Sequence, residues 1–357
     1  MEQETGFDNR PVNFIVTKRG STMKHLLFSR STIIFAACFL ITGSAFAQAQ
    51  VREEKEERRL QQVPLEKKFL PPGLTAKASV FAGYDSNVNL SPLKKGDIFE
   101  EFLFNLGYGK RLLNKLRFSF NYDLDVLNYN EITSASTILN HLRFGLHDKI
   151  SIFKVGAGYD LAIVYFRNND DDFFFHKGFA YIGQDLTRKI YHQVQFEYGL
   201  KAYTDQKALA GAIATYQDKD RVDRRYSGIY SLDFALTPKL SMGFLTRFSA
   251  NESNTMYQRF YDFKSYQGSP YLSYSFTKKL QGLVNFSYTR KNYDKRRVTL
   301  GTDKEKDNFY VARTGIRYAL NKNNSLALSY TYRDNSSNDD LEEYMENVFS
   351  ASWQYKF

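Results

Sequence analysis

Segments of alternating polarity follow one another along most of this chain, from residue 75 to the C-terminus. Within residues 116–126 the even positions carry leucine, phenylalanine, tyrosine and valine, and the odd positions carry arginine, serine, asparagine and aspartate. A period of two places the apolar side chains on one face of a β-strand and the polar ones on the other. Residues 192–202 and 308–320 repeat the pattern. Each segment spans roughly ten to fifteen residues, enough for a tilted strand to cross the hydrocarbon layer of a membrane.

The connections between these segments are of two kinds, which alternate strictly along the chain. Short basic turns fall at 113–115, 147–149, 187–189, 237–239, 277–279 and 321–324, and longer polar stretches fall at 85–97, 130–136, 167–172, 205–221, 251–261, 293–307 and 334–344. Outer-membrane barrels have such tight periplasmic turns and longer outer loops, whereas a soluble β-sandwich, the alternative, rarely keeps this order. The sequence therefore predicts an all-β fold: a transmembrane up-and-down antiparallel β-barrel of about 14 strands, with both ends in the periplasm.

The last strand ends the chain on an aromatic residue. Phe349, Trp353, Tyr355 and Phe357 share one face, and serine, glutamine and lysine occupy the other. This pattern resembles the C-terminal signal of outer-membrane β-barrel proteins, and the resemblance implies recognition by the barrel-assembly machinery. Because a closed sheet has no edges, we expect the last strand to pair with the strand near 75–84.

The composition fits a membrane barrel better than a soluble core. The chain has 26 Tyr and 31 Phe but a mean hydropathy of only -0.48. Aromatic girdles at both membrane interfaces, combined with a polar interior, produce this combination. The net charge of +10 is spread along the whole chain, and no basic helix or nucleic-acid motif accompanies it, so we expect no nucleic-acid partner. Outer-membrane lipid and lipopolysaccharide are the expected surroundings.

The first 74 residues differ from the rest. Residues 23–47 have a basic start, an apolar run and a small-residue cleavage site, which together predict a secretory signal peptide. Residues 1–22 are interpreted as a mis-start or leader. Cys38 lies inside the apolar run, where a lipoprotein cleavage box is a rival reading, so the mature chain is expected to lack cysteine. Residues 48–74 are charged and proline-rich, and they predict a solvated periplasmic segment or a docking site for a periplasmic or lipoprotein partner.

No catalytic motif is evident, and we expect neither an enzyme nor a cofactor or metal. The histidines are scattered, although His141 and His147 fall on one inward face with Arg143. Two acidic clusters, at 170–172 and at 339–343, lie in predicted outer loops. Such clusters can bind divalent cations, but solvated loops are the favoured interpretation.

The polar faces of the strands define a candidate lumen. Its basic residues are Arg117, Arg143, Lys154, Lys201, Arg225, Arg247, Lys291, Arg313, Arg317 and Arg333, and its acidic residues are Asp123, Asp125, Asp160, Glu197 and Asp233. Basic side chains in a pore favour anions. Ion pairs that fill the lumen are the alternative, and a one-residue slip in register would move any strand's set to the other face.

Residues 83–90, GYDSNVNL, follow the first strand. They resemble a segment near the start of several barrel families, among them β-barrel porins linked to exopolysaccharide export and the C-terminal barrel of surface lipoprotein assembly modifiers. Locally, Asp85, Ser86 and Asn87 are good turn formers. The leading prediction is a passive pore or conduit for polar, anionic or saccharide solutes. The alternatives are a non-conducting accessory barrel for surface lipoproteins or exopolysaccharide, and a surface protein with a plugged lumen.

Overall fold

The computed structural model describes residues 73–113, 116–167, 172–210, 215–299 and 301–357. The predicted leader (1–22), the signal peptide (23–47) and residues 48–72 of the charged segment lie outside these ranges. So do Asp170 and Asp171 of the first acidic cluster. In the part of the chain that is described, no helix has the length and apolarity needed to span a membrane.

Fourteen strands form one closed antiparallel barrel, which confirms the predicted fold class. Each strand pairs with the strands before and after it, and β14 returns to β1. The strands are β1 (Leu74–Asp85), β2 (Asp97–Arg111), β3 (Arg117–Tyr129), β4 (Thr137–Ile150), β5 (Phe153–Phe166), β6 (Phe173–Thr187), β7 (Ile190–Ala210), β8 (Thr215–Ala235), β9 (Leu240–Ser253), β10 (Phe263–Ser275), β11 (Leu280–Arg297), β12 (Lys304–Ala319), β13 (Asn324–Ser337) and β14 (Tyr344–Lys356). Short 3₁₀ turns lie at Thr133–Ala135 and Tyr257–Arg259.

The two faces of the barrel wall have opposite chemistry. Polar side chains on the inward face are buried, as in Asp160 and Ser249, which are 2% and 1% exposed. Large apolar side chains cover the outside, where Phe196 is 67% exposed. An apolar surface of this extent is unfavourable in water and matches the hydrocarbon of a lipid bilayer.

Aromatic pairs form a girdle on the outside of the wall towards the long loops. The pairs join neighbouring strands, with ring centres 4.7–5.2 Å apart: Tyr198 with Tyr226, Phe248 with Tyr266, Tyr288 with Tyr310, and Tyr330 with Phe349. A second set lies at the short-turn end and includes Tyr274, Phe276, Trp353, Tyr355 and Phe357. Aromatic rings at both interfaces anchor a barrel at a fixed height in the bilayer.

The barrel closes where β14 meets β1. Trp353 lies opposite Val80 and Phe349 opposite Tyr84, and the backbone N–H of Phe357 donates to the carbonyl of Ala76 at 3.0 Å. This pairing removes both free sheet edges. The role of Phe349, Trp353, Tyr355 and Phe357 as an assembly signal stays a prediction.

Three of the short turns share one side-chain device. Thr187, Thr237 and Thr277 each accept, through Oγ1, hydrogen bonds from the backbone N–H groups two and three residues later, at 2.9–3.2 Å. Asn321 does the same with its side-chain oxygen. These bonds satisfy backbone donors at the hairpin ends, which is why threonine and asparagine recur there.

The short turn predicted at 147–149 is wrong by a few residues. Strand β4 continues to Ile150, and the chain reverses at residues 151–152, where Ser151 has a φ of +57°. His147 looked like a turn residue because it is polar. The structure places it within β4 on the inward face, as its predicted grouping with His141 and Arg143 also implied, and it bonds to Ser119 Oγ and Tyr181 OH at 2.8 Å each.

Two of the predicted long loops are mostly strand. β7 and β8 extend to Ala210 and from Thr215, into the predicted loop at 205–221, and β11 and β12 reduce the loop at 293–307 to residues 298–303. These extensions carry polar residues on both faces, so a polarity pattern cannot identify them. The antiparallel ladder nevertheless continues into them, although with shifts of register between Ala202 and Leu209 and between Asn292 and Arg297.

Candidate functional site

The interior of the barrel is the candidate site, and the inward-facing side chains of the fourteen strands form its inner wall. Paired residues of adjacent strands point to the same side, so the register assigns each one to a face. It places on the inner wall all ten basic candidates and all five acidic ones named from the sequence. Whether they contact a solute stays a prediction.

A chain of ion pairs, the charge belt, crosses part of the inner wall. Asp160 bonds to Arg143 Nε at 2.6 Å and to Lys177 Nζ at 2.9 Å. Glu197 lies 3.2 Å from Lys177 Nζ and 3.6 Å from Arg247 Nη1. Opposite charges therefore alternate over β4, β5, β6, β7 and β9. Because each carboxylate has two cationic neighbours, the belt retains one excess positive charge.

Lys177 is the belt residue that sequence reasoning missed. It lies on β6, whose start reads FFFHKGF and carries aromatic residues on both faces. Because both faces are aromatic, the alternation of polarity does not indicate which face of β6 points inward. The strand register does indicate it, because Lys177 lies directly opposite Asp160 on β5.

A polar network on β3, β4 and β6 contains a serine–histidine contact. Ser119 Oγ lies 2.8 Å from His147 Nε2, and His147 Nδ1 lies 2.8 Å from Tyr181 OH. Nucleophilic catalysis also requires oxyanion donors, but the amides around Ser119 belong to the ladders with β2 and β4. His141 bonds instead to Asp123, at 3.3 Å. In the described part of the chain, no group of three or more His, Cys, Asp or Glu residues could hold a metal.

Phenylalanine–tyrosine pairs line the inner wall near the long loops. The ring centres are 5.9 Å apart in Phe99–Tyr129, 5.8 Å in Phe173–Tyr203 and 5.9 Å in Phe263–Tyr293. The three pairs lie on β2–β3, β6–β7 and β10–β11, and each joins directly opposed residues. The alternating pattern predicts aromatic residues on the lipid face and does not indicate these inward pairs, although all three have the same sequence separation.

Cations lie against the rings of two of these pairs. Lys201 Nζ is 3.7 Å from the ring centre of Phe173 and 4.3 Å from that of Tyr203. Lys291 Nζ is 4.3 Å from Phe263 and 4.2 Å from Tyr293. Each such contact contributes about 0.5–2 kcal/mol, with the higher values for desolvated pairs. The mouth of the barrel thus combines aromatic surface with positive charge.

The first loop, residues 86–96, is tied to the barrel by Asn87. The side chain of Asn87 is 0% exposed; its Nδ2 donates to the carbonyls of Ser91 (2.9 Å) and Met345 (3.0 Å), and its Oδ1 accepts from Ser91 N–H at 3.1 Å. Asp85 adds a bond to Asn87 N–H and one to Tyr129 OH, both 2.9 Å. The turn formers of the GYDSNVNL segment therefore fasten this loop to β14 and to a Phe–Tyr pair.

The second acidic cluster joins two outer loops, and its prediction as a solvated surface is wrong for Asp339. Asp339 is buried and accepts bonds from Thr299 N–H and Oγ1, both at 2.7 Å. Glu342 Oε1 lies 2.7 Å from Arg296 Nη2. Burial raises the pKa of Glu342 above its ordinary value, and Arg296 opposes that shift. Asp340 and Glu343 are exposed, as predicted for the cluster.

Comparison with known proteins supports the architecture. Residues 265–357 match a family model described as "Putative beta-barrel porin 2", and no curated protein matches the sequence significantly. The outer membrane channel DcaP of Acinetobacter baumannii is similar in structure, with a TM-score of 0.51 and 8% identity over 80% of this chain and 96% of that one.

Two further channel structures are less similar. The CymD monoaromatic hydrocarbon channel has a TM-score of 0.48 at 9% identity over 81% and 89% of the two chains. The toluene transporter TodX of Pseudomonas putida has 0.42 at 11% identity over 81% and 90%. At these identities the DcaP likeness shows the fold alone. With its closed wall, lipid-facing surface and two aromatic girdles, the chain is a bacterial outer-membrane β-barrel.

Proposed function

We propose that this barrel is a passive outer-membrane pore or conduit for polar solutes, with a preference for anionic or saccharide solutes. The observation that carries the proposal is the inner wall, where a belt of ion pairs lies below a mouth lined by aromatic rings and cations. Polar groups replace part of a solute's hydration, and basic side chains lower the energy of an anion in a pore. Aromatic faces offer apolar surface to the CH groups of a sugar ring.

The test is conductance of the folded barrel in planar lipid bilayers. We expect discrete channel openings, and a reversal potential in a KCl gradient that indicates anion preference. Liposome swelling with neutral and acidic sugars would then compare solute classes. Cation preference would contradict the anion part of the proposal, and a correctly folded barrel that never conducts would contradict the pore itself.

A non-conducting accessory barrel is the second candidate. The observation that favours it is Leu90 of the first loop, which is buried against Phe309 and Tyr344 of the inner wall and so narrows the interior. Such a barrel would act through partners, and residues 48–74 are the proposed docking segment. Co-purification of a periplasmic or lipoprotein partner that is lost when 48–74 are deleted, together with absent conductance, would support this candidate over the pore.

A further inference from the structure

Two cations on the inner wall share one aromatic ring. Lys291 Nζ lies 4.3 Å from the centre of the Phe263 ring, and Arg225 Cζ lies 5.5 Å from the same centre. Their hydrogen-bond partners are neutral: Asn251 Oδ1 accepts from Arg225 Nε at 3.3 Å, and the Tyr293 hydroxyl accepts from Lys291 Nζ. Among the described residues, neither cation has an ion-pair partner.

Among the described residues, the nearest carboxylates form no direct ion pair with either cation. Asp223, two residues before Arg225, is held through both oxygens by Arg221. Asp307, which lies directly opposite Lys291 in the strand register, accepts a hydrogen bond from Ser337 Oγ through Oδ1 at 2.8 Å, and its buried Oδ2 has no hydrogen-bond partner among the described residues. Lys291 is only 3% exposed. A buried cation that makes no direct ion pair is only partly compensated for its lost hydration, so an anion from solution that bonds to it directly would be stabilised here.

The wall next to these cations is made of small donor side chains. Ser227, Ser249 and Ser265 are opposed in register on β8, β9 and β10, and Lys291 follows them on β11. All three serines are buried, and the hydroxyls of Ser227 and Ser249 lie 2.9 Å apart. Serine hydroxyls can rotate to donate to an anion. Because these side chains are small, they leave space on the inner wall into which the longer basic side chains extend.

A third cation completes the arrangement. Arg247 on β9 lies two residues from Ser249 and is 8% exposed. Its Nη1 is 3.6 Å from Glu197, at the end of the charge belt, but its Nε has no hydrogen-bond partner among the described residues. A buried guanidinium donor without an acceptor is unusual in proteins, and an oxyanion would satisfy it.

We propose that Arg225, Arg247 and Lys291 form an oxyanion station, a site on β8–β11 that binds the phosphate or carboxylate group of a solute. Charge-assisted hydrogen bonds from guanidinium and ammonium groups are the strongest that side chains offer. The Phe263 ring holds two of the cations in position and adds apolar surface beside them. This inference rests on the proposed function, since it names the solute class that such a pore selects.

The first experiment measures binding without conduction. Inorganic phosphate, and in a second arm gluconate, is titrated into the folded full-length barrel in detergent at constant ionic strength, with calorimetry as the readout. We expect saturable binding, weakened about tenfold or more in Arg225→Gln and in Lys291→Gln, because each loses a charge-assisted bond. The control is Lys356→Gln, which removes one positive charge from the inner wall on β14, and its affinity should be unchanged.

Heat-modifiable mobility on gels verifies that each variant is folded. Equal weakening in all three variants would overturn the station in favour of general electrostatics, and absent binding of both anions to the folded wild type would overturn it outright. Binding of phosphate but not gluconate would identify the phosphate group as the ligand, and the converse would identify the carboxylate.

The second experiment separates this inference from the proposed function. In bilayers, phosphate should reduce the chloride current of the wild type at concentrations at which Lys291→Gln is unaffected. A barrel that conducts but neither binds nor responds to phosphate and gluconate leaves the pore intact and removes the station. A barrel that binds phosphate through Arg225 and Lys291 but never conducts removes the pore and keeps the station.

Discussion

Leu90, in the loop after β1, is buried together with Phe309, an inner-wall residue of β12. In the barrel order, β14 and β13 lie between β1 and β12, so the first loop lies over the inner face of the wall, where Leu90 joins a buried cluster with Tyr344 of β14 and Phe309. Leu90 does so with a φ of +42°, a backbone conformation that non-glycine residues rarely adopt. The bonds of Asn87 hold the loop in this position, and the loop therefore narrows the interior.

Shortening Leu90 should widen the proposed pore. Leu90→Ala shortens the side chain that is buried in a cluster with Phe309 and Tyr344, and we expect a larger single-channel conductance and faster uptake of larger sugars in liposome swelling. Leu93→Ala is the matched control, since Leu93 belongs to the same loop but is 85% exposed. Equal conductance in the wild type and both variants would show that the first loop does not limit passage.

Breaking the charge belt should destabilise the barrel. Asp160→Asn leaves Arg143 and Lys177 without the carboxylate they share, and loss of one partner from a buried ion pair costs about 3–5 kcal/mol. Urea unfolding, followed by the fluorescence of the single tryptophan, Trp353, measures this change in the free energy of unfolding.

Asp185→Asn provides the control for that substitution. Asp185 pairs with Lys154 at 2.9 Å, but its side chain is 43% exposed, and an exposed pair contributes at most about 1 kcal/mol. Similar losses in the two variants would mean that solvent in the interior screens the charge belt.

The fold could be predicted because lipid and water impose opposite chemistry on the two faces of each strand. Leu116 to Val126 shows the rule in its simplest form, and the seam at Phe357 follows from closure of the sheet. The rule fails where both faces carry the same residue type. Phe173, Phe174 and Phe175 are consecutive, yet Phe174 faces lipid while Phe173 and Phe175 face the interior.

The sequence predicts which single residues face the interior, but it does not predict which of them lie close together. Arg225 and Lys291 were placed on the polar face, but their common contact with Phe263 depends on the register of β8 to β11. The ends of the strands could not be predicted either. β7 and β8 continue into a polar stretch, where pairing between the strands, rather than hydrophobicity, keeps them extended.

Acidification should tighten the contact between the outer loops at 298–303 and 338–343. Because the pKa of Glu342 is raised in the folded protein, the folded state binds its proton more readily than the unfolded chain does. The associated stability is present at low pH and is lost as pH rises above the ordinary carboxyl value of 4.5. Hydrogen exchange of amides 338–343, corrected for the intrinsic pH dependence, should show more protection at pH 4 than at pH 7.

Glu342→Gln should remove this difference, because the amide does not titrate. Glu343→Gln should retain it, since Glu343 is the exposed neighbour in the same loop. A pH dependence that persists in Glu342→Gln would assign the effect to another carboxyl of the cluster.

Removal of the last residue should impair assembly. Phe357 contributes an aromatic ring to the girdle at the short-turn end and a backbone hydrogen bond to Ala76 across the seam. Without it the seam loses this backbone hydrogen bond, and the predicted terminal signal loses its aromatic residue. We expect deletion of Phe357 to remove most of the heat-modifiable folded protein from the outer-membrane fraction. Phe357→Tyr keeps both the ring and the backbone bond and should assemble normally; a deletion variant with wild-type folded yield would show that the ladder between β1 and β14 closes the barrel without this signal.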